Sequence, residues 1–207
     1  MTEVKAVLWD FGGVILSSPF EAFARYEAEQ GLPSGFIRRL NATNPDANAW
    51  ARLERSEVGI EEFCDLFEAE AKAAGHTLDA RDVITLLAGE IRPAMVEAVR
   101  RCRRLFKTAC LTNNFVAGER SSDTLGVLEL FDVVVESSRV GVRKPDPRFY
   151  RIACDELGIE PREAVFLDDL GVNLKPARAM GMTTIKVDEP DQALTELEAV
   201  LGLPLRD

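Results

Sequence analysis

The chain has 207 residues, of which 46% are hydrophobic and 29% are charged, an ordinary balance for a folded globular protein. Its 35 acidic and 25 basic side chains give a formal net charge of −10, which disfavours nucleic acid as a partner because an acidic surface repels polyanions. No apolar run approaches the length of a membrane span and no secretory leader is evident, so we expect a cytoplasmic protein without membrane contact.

The cysteine and histidine content limits the redox and metal chemistry. Cys64, Cys102, Cys110 and Cys154 are widely spaced within apolar patterns and form no CxxC pair. One histidine, His76, cannot build a histidine-rich metal site. We therefore expect four reduced thiols in the core.

The first predicted strand ends in an acid that is soon followed by two glycines. Residues 4–9 form a short apolar run rich in Val, Leu and Trp, which is typical of a buried strand. Asp10 follows directly, and Gly12 and Gly13 allow the backbone to turn tightly beside a ligand. Ligands of open parallel sheets bind beyond the carboxyl ends of the strands, so Asp10 is a candidate nucleophile or metal ligand. Taken alone, an Asp in a turn is also common without any such function.

Residues 17–92 carry helical patterns without an intervening strand. Apolar stripes at helical spacing, with glycines at several ends, predict four or five helices. Their approximate positions are 20–30, 37–40, 49–53, 60–71 and 83–87. Such a run predicts an all-helical cap inserted over the strand ends, with 1–16 and 93–207 forming the core domain.

Strands and helices alternate from residue 93 onward. The predicted strands are 108–112, 133–135, 164–167 and 183–187, and the predicted helices are 93–105, one ending near 130, 147–157, 174–180 and 192–201. Alternation of this kind implies a parallel sheet covered on both faces. The expected fold class is therefore α/β, a Rossmann-like parallel sheet flanked by helices with an inserted all-helical cap subdomain.

Polar residues follow the predicted strands at the end where a ligand would bind. They are Asp10 after the first strand, Thr112 with two asparagines after the second, Lys144 in the loop after the third, and Asp168 and Asp169 after the fourth. Each has an ordinary explanation as a turn residue, a solvated cation or a helix cap. Their conjunction in this order favours one common site.

The side chains of this group suggest metal-assisted phosphate chemistry. Three carboxylates that meet in one place repel one another unless a cation neutralises them. Hard oxygen ligands without His or Cys point to Mg²⁺, which usually pairs with a substrate phosphate. Thr112, Lys144 and the backbone N–H groups after Asp10 could then bind phosphate oxygens, and Asp10 is suited to form an aspartyl-phosphate.

In this order the motifs resemble those of the haloacid dehalogenase (HAD) superfamily, and the resemblance covers essentially the whole chain, including the helical insertion. Three stretches are closer still to the N-terminal phosphatase domain of soluble epoxide hydrolases and to the related domain fused to some acyl-CoA dehydrogenases. These stretches are LTNN at 111–114, VGVRKPDP at 140–147 and FLDDLGVNLK at 166–175.

The resemblance implies a nucleophile and a set of metal ligands. Asp10 would be the nucleophile, and Mg²⁺ would be held by the Asp10 carboxylate, the Gly12 carbonyl and Asp169. Asp168 and Asn173 would be weaker or water-mediated partners of the metal.

The resemblance also implies how phosphate would be bound. Thr112, Asn113 and Lys144 would hold it, together with the backbone N–H groups that begin at Phe11. Lys144 would in addition take part in catalysis by shielding the charge of Asp10. The expected reaction is hydrolysis of a small phosphorylated metabolite.

One position departs from the pattern of typical phosphatases in this superfamily. They carry a second Asp two residues after the nucleophile as general acid and base, and this chain has Gly12 there. Such a group is worth about 10²–10⁴ in rate. Three alternatives follow. The chain could be a phosphatase that is slow or that favours substrates with good leaving groups, such as acyl or anomeric phosphates. It could instead be a 2-haloacid dehalogenase, or a module that binds phosphorylated ligands without turnover.

The acidic pair separates these alternatives. Halide leaves without a proton, so a dehalogenase needs no second Asp, but it works without metal. Without a metal, Asp168 and Asp169 would repel a carboxylate substrate. A binding module would not need a nucleophile, a lysine and metal ligands together. The sequence therefore favours a phosphatase.

Overall fold

The computed structural model describes residues 3–116 and 121–206. The strands are β1 (Ala6–Trp9), β2 (Lys107–Thr112), β3 (Val133–Glu136), β4 (Ala164–Asp168) and β5 (Thr183–Lys186). The helices are α1 (Phe20–Glu29), α2 (Phe36–Ala42), α3 (Ala49–Glu54), α4 (Ile60–Ala73), α5 (Ala80–Thr85), α6 (Pro93–Cys102), α7 (Ser122–Leu128), α8 (Ser137–Val140), α9 (Pro147–Leu157), α10 (Gly171–Ala179) and α11 (Pro190–Leu201).

The five strands form one parallel sheet in the order β3-β2-β1-β4-β5. The chain first builds outward from β1 through β2 to β3, and then returns to the other side of β1 for β4 and β5. The central strand therefore marks the point where the direction of strand addition reverses. In open α/β sheets, this is where ligands bind beyond the carboxyl ends. The α/β fold class predicted from the sequence is confirmed.

Alternate residues of the strands feed two apolar layers, one on each face of the sheet. Val7 and Trp9 of β1 pack into one layer, together with residues of α6 and α11. Ala6 and Leu8 pack into the other, together with residues of α9 and α10. All four residues of β1 are fully buried, as expected of a central parallel strand that is covered on both faces.

Helices α1 to α5, called here the helical insertion, build an apolar cluster of their own. Trp50 of α3 meets Phe63 of α4 edge-on with ring centroids 4.7 Å apart, and Phe63 stacks on Phe67 at 5.4 Å. The two connections to the sheet lie side by side, since Leu16 forms an antiparallel bridge with Ile91. The helical insertion thus has its own packing and a narrow junction with the rest of the chain.

Two local features differ from the sequence prediction. Residues Ser137–Val140 form the four-residue helix α8, which the sequence pattern did not predict. Helix α10 begins at Gly171, earlier than the apolar pattern from residue 174 indicated. Both elements lack an apolar stripe long enough to show a helical period.

The cysteine side chains lie in the core of the protein. All four cysteines are buried, as expected for core residues. Within residues 3–116 and 121–206, none of the helices combines the length and the apolar character needed to cross a membrane.

Truncation of Phe63 tests whether the helical insertion depends on its aromatic cluster. Phe63 is fully buried, so Phe63→Ala should lower the free energy of unfolding by about 3–5 kcal/mol. Equilibrium urea unfolding measures this value, with Leu125→Ala as the control because Leu125 is half exposed. Equal stability of the two variants would contradict the packing described here.

Candidate active site

The strand register brings two acids together at the centre of the sheet. Trp9 of β1 pairs with Leu167 of β4, and the next residue on each strand is an aspartate. Asp10 donates its backbone N–H to the Leu167 carbonyl at 2.9 Å, which keeps the two strands in register beyond the end of β1. Because neighbouring strands lie about 4.8 Å apart, Asp10 and Asp168 are held side by side.

The chain turns sharply after Asp10, and the second glycine makes this turn possible. Leu16 closes the turn by donating its N–H to the Phe11 carbonyl at 2.8 Å. Gly13 has φ +75°, and a Cβ there would overlap the carboxylate of Asp169. Gly12 has an ordinary φ of −71° and open space where a Cβ would lie. The backbone conformation thus requires glycine at position 13 but not at position 12.

Lys144 lies between the two adjacent acids. Its Nζ is 2.7 Å from Asp10 Oδ1 and 2.8 Å from Asp168 Oδ2, and only 1% of the side chain is exposed. Burial alone would lower the pKa of Lys144, but the charges of Asp10 and Asp168 outweigh it and raise the pKa above its usual range. The lysine therefore remains a cation inside the fold.

Asp168 is occupied by protein donors. Its carboxylate accepts bonds from Lys144 Nζ, from the Leu170 N–H at 2.8 Å and from Asn173 Nδ2 at 3.0 and 3.1 Å. Tyr150 in turn donates its hydroxyl to the Asn173 carbonyl at 2.6 Å. A carboxylate has about four acceptor positions, so Asp168 is largely satisfied and acts mainly to hold Lys144.

Three carboxylates of the site can meet one metal ion. Asp10, Asp168 and Asp169 each offer an oxygen, and these oxygens lie within 4.8 Å of one another. Burial raises the pKa of Asp10 well above its ordinary value, with Lys144 opposing the shift. Burial and the charge of Asp168 raise the pKa of Asp169 to about 6. Asp10 and Asp169 therefore resist carrying their negative charges together, and the all-oxygen donor set of the cluster fits Mg²⁺.

The remaining residues predicted for the site lie at the same edge of the sheet. The Phe11 N–H donates to Asp10 Oδ1 at 2.7 Å. Thr112 is half-buried at the end of β2, one residue beyond the level of Asp10. Asn113 uses its side chain to bind the backbone of Lys144, donating to the carbonyl at 3.0 Å and accepting from the N–H at 2.8 Å. The side chain of Asn113 thus positions the loop that carries Lys144.

Sequence reasoning missed two supporting contacts. Tyr150 lies on the apolar face of α9, where its hydroxyl gave no sign of a partner. Arg92, at the end of the junction with the helical insertion, donates Nη1 to the Gly13 carbonyl at 2.8 Å and so fixes the turn from outside. Both contacts join residues that are far apart in the chain, so no local spacing could have indicated them.

The comparison with known families agrees with this geometry. The family model of haloacid dehalogenase-like hydrolases matches residues 4–181. The chain belongs to this family. As a haloacid dehalogenase-like hydrolase it also resembles solved members in fold. One is a HAD family enzyme of Bacteroides thetaiotaomicron in complex with magnesium and inorganic phosphate, with a TM-score of 0.59, 18% identity, and coverage of 88% of this chain and 93% of that one.

The curated relatives of this hydrolase include proteins that are much longer than this chain. Acyl-CoA dehydrogenase family member 10 of Mus musculus is 38% identical over 97% of the chain, and bifunctional epoxide hydrolase 2 of Sus scrofa is 32% identical over 98%. The chain spans only 19% and 40% of the lengths of these two relatives. Phosphatase MT3486 of Mycobacterium tuberculosis is 35% identical, with coverage of 91% of this chain and 89% of that protein.

Removing the charge of Asp169 tests the carboxylate cluster as a metal site. In the parent protein, saturating Mg²⁺ should raise the free energy of unfolding, by about 2.7 kcal/mol at one hundred times the dissociation constant. Asp169→Asn should abolish most of this gain while the apo protein stays folded, because the variant relieves repulsion between buried carboxylates. Thermal unfolding with and without Mg²⁺ measures both effects.

The control is Asp188→Asn, an acid in an exposed ion pair with Lys186, which should keep the full gain. The gain in the parent should also be smaller at about pH 5 than at about pH 7.5, because protons compete with the metal below the raised pKa of Asp169, about 6. An equal Mg²⁺ gain in parent and Asp169→Asn would contradict the assignment.

Proposed function

We propose that this hydrolase is a Mg²⁺-dependent phosphatase that acts on a small phosphorylated metabolite through an aspartyl-phosphate at Asp10. The observation that carries the proposal is the buried Lys144 ammonium between Asp10 and Asp168, beside a third acid. A cation in this place lowers the repulsion between the nucleophile and an incoming phosphate dianion. The phosphatase named among the relatives, which matches over most of its length, supports the same activity.

The positions of the donors support a two-step reaction. One Asp10 oxygen would attack phosphorus, and the P–O bond to the leaving group would break with the electron pair going to the leaving oxygen. Lys144, the Thr112 hydroxyl and the N–H groups from Phe11 onward would hold the phosphoryl oxygens. Water would then attack the aspartyl-phosphate, releasing inorganic phosphate and restoring the Asp10 carboxylate.

The residues proposed to hold the metal are Asp10, the Gly12 carbonyl and Asp169, with Asp168 as a weaker or water-mediated partner. When bound, Mg²⁺ would neutralise negative charge and help to position the phosphoryl group for attack at phosphorus. The satisfied hydrogen bonds of Asp168 support its smaller share in the metal site. We further propose that residues 17–92 act as the cap of the core formed by 1–16 and 93–207.

The glycine at position 12 supports a preference among substrates. A general acid at this position would protonate the leaving oxygen, and Gly12 supplies none. Groups that leave readily as anions, as in acyl or anomeric phosphates, depend least on that proton. The proposed substrates are therefore phosphates with good leaving groups, and turnover of ordinary alkyl phosphates should be slow.

A 2-haloacid dehalogenase is the second candidate function. Halide leaves without a proton, so this reaction does not need the acid that Gly12 lacks. The buried acids Asp168 and Asp169 favour the phosphatase, since they would repel a carboxylate substrate unless a metal neutralised them.

Replacing the nucleophile tests the proposed function. With Mg²⁺, the protein should hydrolyse p-nitrophenyl phosphate and leave 2-chloropropionate intact, and EDTA should stop the reaction. Asp10→Asn should abolish hydrolysis, while the exposed control Asp188→Asn should retain it. Release of nitrophenolate measures the rate. Full activity in EDTA or in Asp10→Asn would refute the proposal, and chloride release from 2-chloropropionate would support the dehalogenase.

Adding the missing acid tests the role of Gly12. The backbone at position 12 is ordinary and the space for a Cβ is open, so Gly12→Asp should fold normally. The variant should raise kcat for alkyl phosphates by about 10²-fold, within the range of a general acid, and should change kcat for p-nitrophenyl phosphate much less. Equal changes for both leaving groups, in a variant that still binds Mg²⁺, would show that another group supplies the proton.

A further inference from the structure

Arg143, the residue before the catalytic lysine, reaches across to the helical insertion. Its Nη1 donates to the Pro45 carbonyl at 2.8 Å, and its Nε lies 2.7 Å from Oε2 of Glu54. Both side chains of this ion pair are mostly shielded from solvent, with 21% of Arg143 and 17% of Glu54 exposed. The loop that carries Lys144 is therefore tied directly to the insertion.

The carboxylate of Glu54 is close enough to interact electrostatically with Lys144. Burial raises the pKa of Glu54, and the positive charges of Arg143 and Lys144 oppose that shift. A buried carboxylate is costly unless a cation compensates it, and breaking such a pair leaves an uncompensated charge. The ion pair between Glu54 and Arg143 therefore stabilises the contact of α3 with the loop that carries Lys144.

The same helix makes a second contact with the catalytic edge. Trp50, one turn before Glu54 on α3, lies edge-on to Phe115 with ring centroids 6.3 Å apart. Phe115 is two residues beyond Asn113, whose side chain binds both the N–H and the carbonyl of Lys144. One helix of the insertion thus rests on the two loops that together hold the catalytic lysine.

We propose that Arg143 is a positioning residue, which couples the seating of α3 to the placement of Lys144 between Asp10 and Asp168. The inference rests on the proposed function for its kinetic consequence, but its structural part stands independently. The peptide N–H that Asn113 binds belongs to the bond between Arg143 and Lys144, so a shift of Arg143 moves the base of the lysine side chain. If α3 moves away from the loop that carries Lys144, the backbone of Lys144 keeps its contact with Asn113 but loses the support that Arg143 provides.

Kinetics of single and paired variants test this coupling. Arg143→Ala and Glu54→Gln should each lower kcat for p-nitrophenyl phosphate by about tenfold with a smaller change in KM, since misplacement by about 1 Å costs up to about 10²-fold. The reversed pair Arg143→Glu with Glu54→Arg should recover part of the loss, because the ion pair is restored in the opposite sense. Arg148→Ala is the matched control, since Arg148 lies in the first turn of α9 and its exposed side chain pairs with Asp146 of the loop.

Chemical labelling of Lys144 gives a readout that needs no turnover. An amine-reactive acylating reagent, followed by peptide mass spectrometry, reports how often the buried ammonium is released from its two carboxylates. Labelling of Lys144 should be about tenfold faster in Arg143→Ala and Glu54→Gln than in the parent and in Arg148→Ala. Lys5, a half-exposed side chain, serves as the internal reference for reagent and folding.

The two readouts separate the outcomes. Faster labelling without any phosphatase activity would support the coupling and refute the proposed function. Unchanged labelling in Arg143→Ala would overturn the coupling, whatever the activity. Arg143→Lys serves as the conservative variant, and faster labelling of Lys144 there than in Arg148→Ala would also support the coupling.

Discussion

The site depends on one buried ammonium held between two buried carboxylates. Lys144 Nζ touches Asp10 and Asp168 at 2.7 and 2.8 Å in a place that water barely reaches. Removing either partner of a buried ion pair is costly because the remaining charge is left uncompensated. The arrangement therefore fixes three chain segments at one point. A third acid, Asp169, lies beside it, and burial and the charge of Asp168 raise its pKa.

The sequence was informative where chemistry follows regular elements. Apolar runs and alternation predicted the parallel sheet, and the order of Asp10, Thr112, Lys144 and Asp168 along the chain predicted their meeting at one edge. The register explains why this worked for the two central acids. Trp9 and Leu167 are paired, so the residues that follow them must be neighbours.

The sequence was uninformative where a contact depends on long-range packing of side chains. Nothing in the local pattern indicated that Tyr150 supports Asn173, that Arg92 binds the Gly13 carbonyl or that Arg143 meets Glu54. Each of these contacts joins segments that only the folded chain brings together. The sequence alone also did not show whether the backbone requires glycine at position 12, at position 13 or at both. The structure assigns the steric requirement to Gly13 and leaves Gly12 as a chemical difference, the absence of an acid.

The central claim is that Asp10 is the nucleophile and that a metal ion joins it to Asp169. The most direct measurement is a crystal structure of the protein with Mg²⁺ and beryllium fluoride, an anion that imitates a phosphoryl group on a carboxylate. The account predicts the fluoride adduct on an Asp10 oxygen, Lys144 in contact with it, and Mg²⁺ between Asp10, the Gly12 carbonyl and Asp169. An adduct elsewhere, or a metal bound away from Asp10, would contradict the account.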